Sequence, residues 1–260
     1  LKQFYSFVEW SGIEGSTIKH LYNRNILNTK IDLPCQKEQT KIGQYFQQLD
    51  TLIAQHQQKH DKLLNLKKSL LEKMFPKQGT DEPAIRFKGF SGVWEEKVLG
   101  SKIDSIGTGK SFFTTKKEKD EANPYAILGS RSIIGHDCDF DYSGDFVLTA
   151  RVGENAGQLY RYTGKVKITD NTVFIKGQNL SFIYFLLKNY DLKKLSFGTG
   201  QPLIKASELN GLKLSFPVSE SEQTKIGKLF QQLDTLITQH QTQLNKLTHI
   251  KQACLAKLFV

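Results

Sequence analysis

The chain contains one stretch of sequence twice. Residues 38–59 read EQTKIGQYFQQLDTLIAQHQQK and residues 222–243 read EQTKIGKLFQQLDTLITQHQTQ, with 17 identities in 22 positions at a constant offset of 184 residues. Identity over such a length indicates an internal repeat rather than chance similarity. Whatever fold the chain adopts must therefore contain the same structural unit twice.

Both copies have the hydrophobic spacing of a long amphipathic helix. Apolar residues recur at alternating separations of four and three, which is typical of a seam between two packed helices. A helix over residues 37–75 would be roughly 57 Å long, and such a rod cannot bury its apolar stripe against itself. We therefore predict that the two helices pair, along Ile42, Phe46, Leu49, Ile53 and His56 of the first and Ile226, Phe230, Leu233, Ile237 and His240 of the second.

The direction of this pairing is not fixed by the repeat, because the residues between the copies could return the chain to either end. We predict an antiparallel coiled coil. His56 and His240 occupy equivalent seam positions, where a polar residue often fixes the register of paired helices. A catalytic or pH-sensing histidine pair is the alternative.

Polar residues of the repeat are also duplicated. We predict that they lie on the outer faces of the helices and form two equivalent docking patches for partners, because a twofold arrangement presents the same surface twice. A plain solvated face is the alternative. The residues are Asp50 and Asp234, with Gln47, Gln48, Gln231 and Gln232.

Prolines mark the boundaries of the repeated helices. Pro34 and Pro217 precede them, and Pro76 follows the first, which fits because proline interrupts regular backbone hydrogen bonding. Residues 1–33, ahead of the first helix, resemble in pattern the segment ahead of the second helix, which is the end of a whole domain. We therefore expect residues 1–33 to be the end of a first domain that is mostly missing. We predict a domain tail at residues 1–35, a first spacer helix at 36–78, a complete domain at 79–216 and a second spacer helix at 217–260.

The domain at residues 79–216 has a mixed pattern. Short runs rich in β-forming residues occur at 145–150, 165–169 and 172–175, and one helical stretch covers 180–190. Strands and helices are not in regular alternation, so an α+β fold is predicted: a mixed α/β domain plus two long paired helices.

Composition favours an anionic partner. The 36 Lys and Arg residues exceed the 26 Asp and Glu residues, for a formal net charge of +10, and nucleic acid is the first partner such a charge suggests. The three cysteines form no disulfide or zinc-binding pattern, so a reduced, cytoplasmic protein is expected. No apolar run reaches the roughly 18 residues that a membrane helix needs.

Several longer motifs resemble the specificity subunits of type I restriction–modification systems. They are the repeat itself with KMFP at 73–76, IRFKGFSGVWEEKVLG at 85–100, GDFVLTARVGENAG at 144–157 and GTGQPLIKASELNGLKLSFP at 198–217. The resemblance covers essentially the whole chain, in the order of recognition domain and spacer helix twice over. The start departs from that pattern, and from the resemblance we expect most of a first recognition domain to be missing there.

The resemblance implies a function in DNA recognition. Each target-recognition domain would read one half of a split double-stranded DNA site, while the paired helices set the distance between halves and dock methyltransferase and restriction subunits. The chain itself would be non-catalytic and would bind no cofactor; S-adenosylmethionine, ATP and magnesium would belong to the partner subunits. A chain with one recognition domain could also self-associate to restore a second.

Two other functions are weighed against this one: a coiled-coil assembly adaptor without DNA specificity, and a stand-alone DNA-modifying enzyme. Motifs for an enzyme are fragmentary. Gly109-Lys110-Ser111 imitates the end of a phosphate-binding loop, but Asp104 occupies the position of its first glycine. Asn123-Pro124-Tyr125 is read as a turn, and the acidic and thiol residues at 136–139 lack metal-ligand spacing, so no metal site is predicted.

Candidate DNA-reading residues lie on three glycine-bearing loops. Arginine pairs with guanine, amide side chains pair with adenine and hydroxyls pair with either, while glycine lets the backbone approach closely. We predict DNA contacts by Ser130, Arg131 and Ser132, by Thr149, Arg151, Asn155, Gln158, Tyr160 and Arg161, and by Thr199 and Gln201.

Overall fold

A computed structural model describes residues 20–30, 33–77, 79–112, 117–195 and 202–258. Two helices of nearly 40 residues are its longest elements. The helices are α1 (Asn23–Asn28), α2 (Gln36–Lys73), α3 (Leu180–Tyr190), α4 (Ala206–Asn210) and α5 (Glu220–Leu258). The strands are β1 (Glu95–Val98), β2 (Ser105–Thr108), β3 (Tyr125–Leu128), β4 (Ile133–Asp137), β5 (Tyr142–Ala150), β6 (Leu159–Ile168), β7 (Thr172–Lys176) and β8 (Lys213–Phe216).

The chain divides into two compact units. The first unit consists of Leu1–Asn65 with Thr235–Val260, and the second unit is Leu66–Asp234. None of the helices in the described part of the chain is long and apolar enough to cross a membrane.

In the first unit, α2 and α5 pack on each other in opposite directions. Phe46 is fully buried against Leu255, and Lys251 donates a hydrogen bond of 2.6 Å to Asp50. Residue numbers therefore rise along one helix while they fall along the other, and the predicted antiparallel pairing is confirmed. Apolar side chains pack around Phe46 and Leu255, as the heptad spacing requires, and they include Ile42, Leu49, Leu247, Ile250 and Cys254.

The second unit is built around a six-stranded sheet in the order β2-β7-β5-β6-β3-β4. All neighbouring strands are antiparallel except β3 and β6, which are parallel. Strands β1 and β8 form a separate antiparallel pair. Alternate residues of the central strands fill one core, made of Ala126, Leu128, Phe146, Leu148, Val166, Ile168 and Phe174. Sheets and helices that do not alternate regularly confirm the α+β class.

A second core of this unit lies around α3. Residues 182–187 of α3 are all buried, which matches a helix that is apolar nearly all round. Phe182 packs near Phe75, Trp94 and Phe216, with ring centroids 6.0–6.1 Å apart, and Phe230 of α5 stacks on Phe75 and Phe185. Aromatic packing thus fixes the domain on residues 220–234 of α5.

Candidate nucleic-acid interface and helix faces

Three loops of the second unit come together in one surface, here called the loop patch. Ser130 Oγ donates a hydrogen bond of 3.3 Å to the Asn171 carbonyl oxygen, and the backbone N–H of Arg151 donates to the same oxygen at 2.9 Å. A single carbonyl therefore fastens segments that are far apart in sequence. The loop patch consists of residues 129–132, 151–158 and 169–171.

The exposed side chains of the loop patch have the chemistry of base recognition. Arg131, Ser132 and Gln158 are exposed, and Ser130, Arg151 and Asn155 are partly exposed. Guanidinium, hydroxyl and amide groups on one surface can contact base edges and phosphates together. The structure thus brings six of the predicted DNA-reading residues into one place.

Two of the predicted residues have internal roles instead. Thr149 is 1% exposed and its Oγ1 donates to the Ala150 carbonyl oxygen at 3.4 Å. A DNA contact by the Thr149 side chain is therefore not supported. The Tyr160 hydroxyl donates to the Gly129 carbonyl oxygen, and burial raises the pKa of Tyr160 well above its ordinary value. Tyr160 holds the loop patch together and stays protonated there.

Arg161 faces away from Tyr160, as successive residues of a strand must. Its guanidinium lies 4.6 Å from the ring centroid of Tyr184 and 3.6 Å from Asp234 of α5. Arg161 therefore joins the sheet to α3 and α5. A DNA contact by this residue stays a prediction.

The third predicted loop is only partly described. Thr199 and Gln201 lie outside the described residues. The chain that follows them pairs with the loop patch, because the Gly153 N–H donates to the Pro202 carbonyl oxygen at 3.1 Å and the Ile204 N–H donates to that of Arg151 at 2.8 Å. Residues 202–204 thus support the loop at 151–158.

Three further residues belong with the loop patch and were not predicted. The backbone of Lys193 lies beside Gly157: a Cβ added to Gly157 would be 3.0 Å from the backbone nitrogen of Lys193. Lys194 follows it, and both lysines are exposed. Asn171, at the turn between β6 and β7, is also exposed. A Lys-Lys pair directly after a buried helix was the available sequence signal for a phosphate contact.

The duplicated aspartates differ from expectation. Asp50 accepts a hydrogen bond from Lys251 in the first unit, and Asp234 accepts one from Lys67 in the second. The two pairs are equivalent, because the two aspartates are 184 residues apart and so are the two lysines. Their predicted place on the outer faces is thus wrong: both carboxylates bridge the helices, where a lysine on the opposite helix neutralises them. Docking of partners at the repeated residues stays a prediction.

Residues of the repeat in α5 also contact the domain at 79–216. Thr224 Oγ1 donates to Asn179 Oδ1 at 2.8 Å, and Ser181 Oγ donates to Gln231 Oε1 at 3.2 Å. Between them, Gly227 faces the start of α3 so closely that an added Cβ would lie 2.8 Å from the Phe182 nitrogen. Gln231 therefore contacts the chain's own domain, although its side chain stays exposed.

The repeated histidines meet in the first unit. His56 Nδ1 and His240 Nδ1 are 2.9 Å apart, so one ring must donate a proton to the other and both cannot be protonated at these atoms. Burial, followed by the nearby charge of His56, lowers the pKa of His240. Lys59 and His60 add smaller contributions in the same direction.

We expect this pair to make the stability of the first unit dependent on pH. A histidine whose pKa is lower when folded binds fewer protons than the unfolded chain below about pH 6.5, so stability is present above that pH and is lost as pH falls. The thermal midpoint followed by helix circular dichroism should be lower at pH 5.5 than at pH 7.5. His240→Gln should reduce the difference, whereas the same substitution at exposed His249 should not. An unchanged pH difference in His240→Gln would contradict this account.

Residues that resemble enzyme motifs have structural roles. Gly109 lies against the backbone of β6, where an added Cβ would be 2.2 Å from the Ile168 carbonyl oxygen, and Ser111 forms a parallel bridge with Thr169. The glycine is thus required by strand packing, and the strand–loop–helix arrangement of a phosphate-binding loop does not occur at residues 105–112. Among the described residues, no three His, Cys, Asp or Glu side chains are grouped as metal ligands.

Comparison with known proteins gives one family. The family model described as "Type I restriction modification DNA specificity domain" matches residues 2–65 and 93–249 of the chain. The type I restriction enzyme MjaVIII specificity subunit of Methanocaldococcus jannaschii is 26% identical over 280 residues, covering 91% of this chain and 62% of the relative. The EcoprrI specificity subunit of Escherichia coli is 24% identical over 141 residues, covering 53% of this chain and 34% of the relative. The chain thus spans 62% and 34% of the lengths of these two relatives.

Solved structures show the same fold. The S subunit of a type I restriction–modification system from M. genitalium aligns with 95% of this chain and 68% of its own length, at a TM-score of 0.67 and 17% identity. The HsdS subunit from Thermoanaerobacter tengcongensis aligns with 99% of this chain and 67% of its own, at a TM-score of 0.56 and 17% identity. With a family model matched over most of its length, the chain belongs to the family of type I restriction modification DNA specificity domains.

Proposed function

We propose that the chain is a sequence-specific, double-stranded DNA recognition component of a type I restriction–modification complex. The observation that carries the proposal is the loop patch, where loops from three parts of a family-matched domain present arginine, amide and hydroxyl groups together. Such groups read the major-groove edges of base pairs. The formal net charge of +10 supports binding to the phosphate backbone.

Within the loop patch, two kinds of contact are proposed. Arg131, Arg151 and Asn171 contact base edges and so discriminate between sequences. Lys193 and Lys194, at the border of the patch, contact phosphates and so contribute to affinity for any sequence. Arg161 acts as a positioning residue, because its partners Tyr184 and Asp234 belong to the supporting helices.

We propose that partner subunits, and not this chain, carry out the catalysis. Methyltransferase and restriction subunits would dock on the helices and supply S-adenosylmethionine, ATP and magnesium, while the antiparallel helices set the spacing of recognised half-sites. A second recognition domain would be needed for a two-part site, and self-association is one route to it. In this proposal the chain is not itself an enzyme.

Substitutions in the loop patch separate the two kinds of contact. For a preferred duplex selected from a random pool, Arg151→Ala should lose about 1–3 kcal/mol of discrimination against changed bases. Lys193→Ala should weaken preferred and scrambled duplexes alike and should reduce the slope of log affinity against log salt by about 1. Fluorescence anisotropy over a series of salt concentrations measures both effects.

The control for this experiment is Lys213→Ala. Lys213 lies on β8 in the two-stranded sheet and is exposed, so its loss should alter neither discrimination nor salt slope. If Arg151→Ala and Lys193→Ala both behaved like Lys213→Ala, the loop patch would not be the DNA-binding surface.

A further inference from the structure

His56 and His240 place two imidazole nitrogens at one point between the long helices. The two residues are equivalent in the repeat, and their Nδ1 atoms lie 2.9 Å apart. Both belong to the first unit, on helices that run in opposite directions. Imidazole nitrogen is the commonest protein ligand for transition metals. The pair therefore offers two such ligands, one from each helix.

The distance between the two nitrogens fits coordination of a single ion. Bonds from a metal to imidazole nitrogen are about 2.0–2.1 Å long. Two such bonds at a right angle hold their nitrogens about 2.9 Å apart, whereas a tetrahedral angle holds them about 3.3–3.4 Å apart. The observed 2.9 Å thus matches adjacent positions of a square-planar or tetragonal ion, which is the geometry of Ni²⁺ and Cu²⁺ with nitrogen ligands.

A bound ion would replace the proton that the two rings share. In the hydrogen bond one Nδ1 carries a proton and the other accepts it. If that proton moves to Nε2 of its own ring, both Nδ1 atoms have a free lone pair and both rings stay neutral. The ring centroids are 5.1 Å apart and the ring planes are tilted by 56°, so the rings must also turn until the two lone pairs converge. This turn uses the broad torsion of the imidazole ring and leaves the helices in place.

The pair is accessible to solvent and lies on a packed seam. Both histidines are partly exposed, so an ion can reach them together with its water ligands. Leu244, one turn beyond His240, is 6% exposed, and Lys251 fixes the register of the helices by its hydrogen bond of 2.6 Å to Asp50. Ligands that are already held in position lose little conformational freedom on binding, which favours affinity.

The groups around the pair favour a transition metal over a hard ion. Lys59 and His60 lie near His240, since both contribute to the lowering of its pKa after burial and His56, and His60 Nδ1 lies 3.2 Å from Asp61 Oδ1. Among the described residues, no third His, Cys, Asp or Glu completes a metal-binding group, so water must fill the remaining positions. Mg²⁺ requires oxygen ligands, and the pair supplies only nitrogen.

We propose that His56 and His240 bind one divalent transition-metal ion such as Ni²⁺ or Cu²⁺ through their Nδ1 atoms, with water in the other positions. The ion cross-links the two long helices at the equivalent point of both repeats. It stabilises the folded helix pair, because the site does not exist in the unfolded chain. Both ligands belong to the first unit, so the site does not depend on the proposed DNA binding.

Isothermal titration calorimetry with Ni²⁺ tests the site on the full chain, without a polyhistidine tag and at pH 7.5. Nickel is the better probe because copper oxidises thiols. We expect saturable binding of one ion per chain. At a hundredfold excess over the measured dissociation constant, the thermal midpoint followed by helix circular dichroism should rise by about 5–10 °C. Mg²⁺ at the same concentration should neither bind nor raise the midpoint.

His56→Gln and His240→Gln remove one ligand each. Either substitution should weaken nickel binding at least about tenfold, because a single imidazole cannot chelate the ion, and should remove the rise in thermal midpoint. His249→Gln is the matched control, since His249 is an exposed histidine of the same helix, and it should change neither quantity. Circular dichroism without nickel verifies that each variant keeps its helices.

Chemical modification of the unsubstituted chain gives a second measurement. Diethyl pyrocarbonate attacks a free lone pair of imidazole, and mass spectrometry locates the modified residues. Nickel should protect His56 and His240, because Nδ1 is then bound and Nε2 carries a proton. His249 should stay reactive. This measurement needs no variant and so holds even if a substitution disturbs folding.

Three results would overturn the proposal. The first is the absence of saturable nickel binding to the unsubstituted chain. The second is nickel binding that survives both His56→Gln and His240→Gln, which would place the ion on other groups such as the thiols. The third is unchanged modification of His56 and His240 in the presence of saturating nickel. DNA enters none of these measurements, so their outcome is separate from that of the proposed function.

Discussion

Arg86→Met is expected to lower the free energy of unfolding of the second unit by about 3–5 kcal/mol. The substitution removes both hydrogen bonds to Glu222, whose side chain has no exposed surface. A buried carboxylate without a partner is far more costly than an absent ion pair. The contact also raises the pKa of Arg86, so the guanidinium is charged at any accessible pH. Chemical denaturation followed by tryptophan fluorescence would measure the loss.

The double variant Arg86→Met with Glu222→Met tests the cause. Removing both charges should recover most of the stability that Arg86→Met loses, because apolar replacements of a buried pair are often nearly neutral. Lys205→Met is the control, since Lys205 pairs with Glu208 at 3.4 Å on an exposed surface, and such pairs contribute about 0–1 kcal/mol. A double variant as unstable as the single one would show that burial of Glu222 is not the reason.

The second large effect is expected for Phe230→Ala, at about 3–5 kcal/mol. Phe230 is fully buried, with its ring centroid 4.9 Å from that of Phe185 and 5.9 Å from that of Phe75. Its loss leaves a cavity where α5, α3 and the end of α2 meet within the second unit. The thermal midpoint from scanning calorimetry should fall accordingly.

Leu236→Ala is the control on the same helix. Leu236 is 43% exposed, and surface substitutions usually change stability by less than about 0.5 kcal/mol. If Phe230→Ala and Leu236→Ala lowered the midpoint equally, the aromatic cluster would not be what fixes the domain on α5.

The long helices were predictable from the sequence because their physics is local and periodic. Apolar residues that recur at alternating separations of four and three form a stripe along one side of a helix, and this stripe must be buried. A straight helix of this length can bury its stripe only against another element. The direction of pairing needed the structure, since it depends on the path of the domain between Lys73 and Glu220. Helix α3, predicted at 180–190, is confirmed as Leu180–Tyr190, because its apolar residues are contiguous and turn residues flank it.

The candidate site was predictable only in part. Glycine-bearing loops indicated residues 129–132 and 151–158, but their meeting depends on a hydrogen bond to the Asn171 carbonyl, which no sequence pattern encodes. Arg161 was predicted together with Tyr160 because the two are adjacent in sequence, although successive side chains along β6 point to opposite faces of the sheet. Asp50 and Asp234 looked like surface residues because the lysines that neutralise them are distant in sequence.

The central claim is that the domain at 79–216 reads DNA sequence through the loop patch, and selection from a pool of random double-stranded DNA tests it most directly. The chain, alone and together with type I methyltransferase subunits, is incubated with the pool at about 0.15 M salt, and the bound duplexes are sequenced. We predict enrichment of one short motif, which broadens at defined base positions in Arg131→Ala and Arg151→Ala. Retention of duplexes without any enriched motif, and without a change in either variant, would contradict the account.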